Sequence, residues 1–161
     1  MIRYATPQDH TAIAEVTEAA FARPDEARLV EQLRADEDTM FELVAEDDGA
    51  VVGHILFSRL WADRDDLYAA LAPVSVTPGR QAAGLGSALI RAGLERAPQF
   101  GAVGVLVLGD PGYYGRFGFS RDAALEVRSP LSRLAGFQAL ALFEGAFEGP
   151  MTVAYPSAFG A

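Results

Sequence analysis

Residues 71–100, LAPVSVTPGRQAAGLGSALIRAGLERAPQF, constrain the fold more than any other stretch of the chain. An apolar strand ends at Val76, and Thr77-Pro78-Gly79 breaks it. From about Gly84 the pattern becomes helical: Leu85, Leu89 and Ala92 share one face with Ile90 and Leu94 beside it, while Ser87, Arg91 and Glu95 form a polar line. Residues 103–108, VGVLVL, then read as an unbroken apolar strand, buried on both faces. Strand, helix and strand in that order make a parallel βαβ unit with a right-handed crossover. The fold class is therefore α/β.

The turn into that helix has the chemistry of a phosphate site. The first N–H groups of a helix lack internal partners and carry partial positive charge, and glycines let an anion approach the backbone closely. Two common phosphate patterns fail here. G-x-x-x-x-G-K-[ST] requires a lysine, and the chain has none; G-x-G-x-x-G begun at Gly84 meets Leu89 where its third glycine belongs.

Composition narrows the function. A length of 161 residues suits one domain, spanning 1–161, with a substantial core. No apolar run reaches membrane-spanning length, and MIRYATPQDH lacks an apolar signal region, so a cytoplasmic address without membrane attachment is the default. The absence of cysteine removes disulfides, thiolate metal sites and a cysteine nucleophile. Two distant histidines and scattered carboxylates give no metal-ligand spacing. A net charge of −9 argues against nucleic acid and favours a cationic partner such as an amine.

Along the chain, residues 2–4 form a short strand. Thr6, Pro7 and Asp9 start a helix carrying Ile13, Val16, Ala20 and Phe21. A second helix covers about 26–35, with Leu29, Val30 and Leu33 as its apolar side. Residues 41–46 and 51–58 are strands joined by the Asp48-Gly49 hairpin turn. Residues 59–66, RLWADRDD, read as a charged loop. The strand 67–76 carries Pro73, which cannot donate to a ladder, so pairing fails on one side there. Residues 120–140 are loop-rich, and 139–143 and 151–155 are closing strands. The acidic segments 42–48 and 63–66 read as solvated faces.

Two strings carry a family resemblance. Gln81-Ala82-Ala83-Gly84-Leu85-Gly86 has the form Q-x-x-G-x-G after a proline-containing strand, and Tyr114-Gly115-Arg116-Phe117-Gly118-Phe119 has the form Y-x-x-x-G-F some thirty residues later. Together they resemble the motifs of the GNAT superfamily of acyl-CoA-dependent N-acetyltransferases. The wider string GDPGYYGRFGF, with Gly53-His54-Ile55 and Tyr155-Pro156-Ser157-Ala158-Phe159, is similar to a bacterial subfamily of small N-acetyltransferases, most without an assigned substrate. The resemblance implies a mixed central sheet of about seven strands with helices on both faces. It implies acetyl-CoA as co-substrate, its pyrophosphate held by the amides of Gln81, Ala82, Ala83, Gly84, Leu85 and Gly86, and its pantetheine arm aligned by the backbone of Val74, Ser75 and Val76.

The implied reaction is direct attack of a primary amine, on a small molecule or a peptide, on the thioester in a ternary complex. Tyr114, by its place in the motif, is the general acid for the leaving thiolate, with Tyr113 the neighbouring alternative. The base is left open. Many family members use a glutamate on the fourth strand, but residues 67–76 contain no carboxylate. His54, Asp110 and a backbone-held water are the candidates. His54 also fits a packed histidine, and Asp110 a cap for the turn at Pro111. Ala82 and Ala83 stand where the family often has glycine and a basic residue, leaving Arg80 or Arg116 to supply that charge. A non-catalytic CoA-binding sensor or interaction module is the alternative function, and a homodimer is an open assembly.

Overall fold

The computed structural model describes residues 1–160. Its elements are β1 (Ile2–Tyr4), α1 (His10–Phe21), α2 (Asp25–Ala35), β2 (Thr39–Asp47), β3 (Ala50–Ala62), β4 (Leu67–Val76), α3 (Leu85–Arg96), β5 (Ala102–Leu108), α4 (Pro111–Tyr114), β6 (Val127–Arg128), β7 (Phe137–Ala141) and β8 (Met151–Ala154). The described residues form two compact units, one of Met1–Phe57 with Ala72–Glu95, the other of Ser58–Leu71 with the residues from Arg96 onward. Strands β3 and β4 run through both.

In the first unit the strand order is β1-β2-β3-β4. β1 pairs antiparallel with β2, Ile2 opposite Ala45 and Tyr4 opposite Leu43. The β2–β3 turn is the expected one: Asp48 and Gly49 both have positive φ, 50° and 76°. Alternation sorts the side chains of β2 and β3 between two faces. On one face Phe41 stacks on Phe57, ring centroids 4.7 Å apart, and α3 lies so close above Phe57 that a Cβ on Gly93 would overlap its ring. Phe57 is fully buried, which stabilises the fold by about 1.5–3 kcal/mol. On the other face Glu42 meets Arg34 of α2. Helices thus cover both faces of this unit's sheet.

The helical start expected at Thr6 is a 3₁₀ turn, Pro7–Asp9, ahead of α1. Tightening of this kind is frequent at helix ends. The Thr6 N–H donates to Asp9 Oδ2 at 2.7 Å, and the Arg3 guanidinium grips the same carboxylate at 2.8 and 2.9 Å. The buried side of α2 is Ala27, Val30 and Leu33, so Ala27 takes the place expected for Leu29.

In the second unit the order is β3-β4-β5-β7, with β8 on β3 and β6 on β8. β4 pairs parallel with β5 from Leu67 opposite Ala102 to Ala70 opposite Leu106, and Pro73 lies beyond the last of these pairs. β5 then runs antiparallel to β7, Leu108 opposite Phe137. Leu60, Tyr68, Ala70, Leu106, Phe137 and Met151 share one apolar cluster. The Tyr68 hydroxyl donates to the Ala146 carbonyl, which satisfies its polar end within that cluster.

Several boundaries differ from the sequence reading. Residues 59–62 are not loop. They extend β3, and its last two residues pair with β8, Trp61 opposite Ala154 and Ala62 opposite Val153. Leu60 is buried between exposed Arg59 and Trp61, an alternation that the charged neighbours obscure. The two-residue strand β6 was not legible at all, and β7 begins two residues earlier than expected. These bring the count to eight strands, close to the expected seven.

Candidate active site

Pro78–Ala83 wind as a 3₁₀ turn from β4 towards α3. Gly84 closes that turn with φ 80°, a backbone shape that glycine adopts without strain, and its carbonyl accepts the Ala88 N–H at 3.0 Å, opening α3. The N–H groups of Leu85 and Gly86 therefore lie in the first turn, where no intrahelical acceptor exists. Gln81, Ala82, Ala83 and Gly84 are exposed, and Gln81 Nε2 donates back to the Val76 carbonyl at 3.1 Å, fastening the loop to the strand end. Arg80 forms an ion pair with Asp47, so its charge is partly spoken for. Val74 is half-buried; Ser75 and Val76 are buried.

Tyr114 sits in the second unit, in the one-turn helix α4. This is the shortened fourth helix that the close spacing of Asp110 and Tyr114 requires. Asp110 is its N-cap: Oδ1 accepts the Gly112 N–H at 3.2 Å, and its carbonyl accepts the Tyr114 N–H at 2.9 Å. The cap reading of Asp110 is thus the one the geometry fills. Tyr114 packs edge-on against Phe119 and Tyr113, at 5.9 and 5.1 Å between centroids, and lies over Gly109, where a Cβ would overlap the ring. Burial, aided by Tyr113, pushes the Tyr114 phenol up to about 12. It is protonated at neutral pH, as an acid must be. Arg116 stacks over the Tyr113 ring at 4.6 Å.

His54 lies wholly inside the first unit. Its Nε2–H donates to Glu42 Oε1 at 2.8 Å, and Arg34 grips Glu42 from the other side, through Nε and Nη2 at 2.9 and 2.8 Å. Burial acts to raise the Glu42 carboxyl, but the bonds from His54 and Arg34 outweigh it and hold it at about 2. Burial lowers the His54 imidazole despite the carboxylate beside it. The network therefore assigns an ionised Glu42 and a neutral His54 with its proton on Nε2, which leaves Nδ1 an acceptor. Glu42 is not part of the solvated acidic face that sequence suggests. Its partner on α2 is eight residues away, at a spacing that no helical or strand period flags. His10 lines an open cleft of about 570 Å³ between α1 and α2, beside Thr11, Glu31 and Arg34. Among the described residues no group of three or more His, Asp or Glu could hold a metal ion.

The family model for the Acetyltransferase (GNAT) family matches residues 10–119, more than half of the chain. The uncharacterized N-acetyltransferase YhbS of Escherichia coli is 36% identical over 130 residues, 80% of this chain and 78% of its own. The solved YhbS structure, a complex with CoA, superposes with a TM-score of 0.91 at 34% identity, covering 100% of this chain and 92% of that one. A GNAT family acetyltransferase from Brucella melitensis, solved with acetyl-CoA, superposes with a TM-score of 0.83 at 41% identity, covering 99% and 97%. The chain belongs to the GNAT family of acetyltransferases.

Proposed function

We propose that the chain acts as one catalytic domain that moves acetyl from acetyl-CoA to a primary amine by direct attack in a ternary complex. The observation that carries the reading is Tyr114, a phenol kept protonated by burial and fixed by Gly109 and Phe119. The complexes of the two relatives with CoA and acetyl-CoA support it. In the first unit, the amides opening α3 hold the pyrophosphate, and the 74–76 backbone aligns the pantetheine arm. The amine nitrogen forms a bond to the thioester carbonyl carbon, and the C–S bond breaks. Tyr114 gives its proton to the departing sulfur.

The absence of a carboxylate from β4 favours a second reading, a CoA-binding sensor without turnover. Calorimetric titration with acetyl-CoA, against CoA and ATP, comes first. Saturable binding of acetyl-CoA is expected, followed by thiol release with members of an amine panel. No binding at millimolar ligand would overturn both readings; binding without turnover on any amine would favour the sensor.

A further inference from the structure

Four buried side-chain atoms of the first unit have no hydrogen-bond partner, Thr17 Oγ1, Thr39 Oγ1, His54 Nδ1 and Ser75 Oγ, and the last two stand on neighbouring strands. His54 is 0% exposed and Ser75 2%. Unpartnered groups inside a native protein call for an explanation, and their placement offers one. β3 and β4 are neighbours joined by the short loop 63–66, so they run antiparallel. The Thr77 N–H donates to the Val52 carbonyl at 2.9 Å, which sets those two residues opposite each other. Two steps along, Ser75 stands opposite His54. Opposite residues project to the same side of a sheet with Cβ atoms about 5 Å apart. Glu42, on β2, holds the other flank of His54. The three side chains thus form a row across β2, β3 and β4. The two nitrogens of an imidazole point to nearly opposite sides of the ring. With Nε2 turned to Glu42, Nδ1 faces away from β2.

We propose that Ser75 is the outer end of a proton relay, Ser75–His54–Glu42, that receives the proton of the acceptor ammonium. The relay rests on the acetyl-transfer reading above. Ser75 lies in the 74–76 segment assigned to the pantetheine arm, on a strand with no carboxylate to act as base. The ammonium N–H proton passes to Ser75 Oγ as the Ser75 hydroxyl proton passes through one water to His54 Nδ1, since the two atoms make no direct hydrogen bond. The imidazolium so formed is stabilised by the Glu42 carboxylate, which Arg34 holds in place. The freed amine lone pair then attacks the thioester. After the acyl group has transferred, the relay returns its proton to solvent. His54 and Glu42 are positioning residues in this scheme. The ionisable groups that act on His54 are Glu42 from β2, Arg34 from α2 and His10 at the start of α1.

The test pairs spectroscopy with kinetics. The protein has only two histidines, so His10→Asn assigns the ring nitrogens of ¹⁵N-histidine-labelled protein. In the acetyl-CoA complex, Ser75→Ala is expected to shift the His54 Nδ1 resonance. On the best amine of the panel, the same variant is expected to lower kcat on the order of 100-fold near pH 7, with the KM for acetyl-CoA unchanged. The loss should shrink as the pH rises past the pKa of the amine, because free amine needs no base. An unmoved Nδ1 resonance, or a loss that is the same at every pH, overturns the relay. Ser75→Ala removes an unpartnered hydroxyl, so the variant is expected to fold. If acetyl-CoA fails to bind in the calorimeter, the acetyl-transfer reading falls and takes the function of the relay with it. The Nδ1 shift in the free protein still reports whether Ser75 and His54 are linked.

Discussion

At the scale of single residues, Tyr114 and Glu42 hold opposite protonation states for opposite reasons. The phenol keeps its proton because nothing nearby repays the burial of a phenolate. The carboxylate gives its proton up because two donors repay the burial of its charge. Tyr114→Phe is expected to cut turnover about 100-fold or more while acetyl-CoA affinity, read by calorimetry, is retained. For Glu42 the consequence is pH-dependent stability. Its folded pKa, about 2, lies below the ordinary 4.5. Its contribution is therefore complete above about pH 4.5 and is lost as pH falls towards 2. His54, lowered from 6.5 by burial, acts in the same direction. Below pH 6.5 the unfolded chain binds a proton that the folded chain refuses, so stability falls on acidification. Melting temperature followed from pH 7 to 3 should fall, and Glu42→Gln should lose the part between 4.5 and 3. At neutral pH the same substitution is expected to cost about 3 kcal/mol, because it leaves Arg34 unpaired beside a buried histidine.

At the scale of elements, two glycines set how the α3 helix meets its surroundings. Gly93 lets α3 settle on the Phe57 ring, which is itself stacked on Phe41. Phe57 is fully buried, so Gly93→Ala is expected to destabilise the protein by about 1–3 kcal/mol in urea denaturation. Gly84 has open space around it, and only its φ of 80° is restrictive. Gly84→Ala should therefore cost about 1 kcal/mol from backbone strain alone. It should also weaken acetyl-CoA binding by calorimetry if the loop amides hold the pyrophosphate. A variant that lost stability yet bound acetyl-CoA as before would place the pyrophosphate elsewhere.

For the whole molecule, net charge sets a further expectation. With −9 overall, association with cationic amines is assisted by attraction that salt screens. The kcat/KM for a polycationic amine should drop more steeply between low and physiological ionic strength than that for a monoamine. Sequence revealed the βαβ core and both motif segments because each is local: a strand, a turn and a helix follow within thirty residues. It missed what depends on distant partners. The end of β3 is one case: Trp61 and Ala62 find their ladder partners in β8, ninety residues on. The two residues of β6 are too few to show any period. Glu42 reads as a surface charge in an alternating strand, and only the approach of Arg34 from α2 and His54 from β3 turns it inward. Likewise Ser75 is legible as backbone for a bound arm, whereas its position opposite His54 depends on register.

The bond between His54 and Glu42 also has a consequence in time. Imidazole protons in contact with water are normally exchanged too fast to be seen. The Nε2 proton of His54 is enclosed, and Glu42 holds it at a heavy-atom separation of 2.8 Å. It can leave only when the packing around His54 opens. One resolved line in a proton spectrum, timed after transfer to heavy water, would therefore act as a clock for that opening.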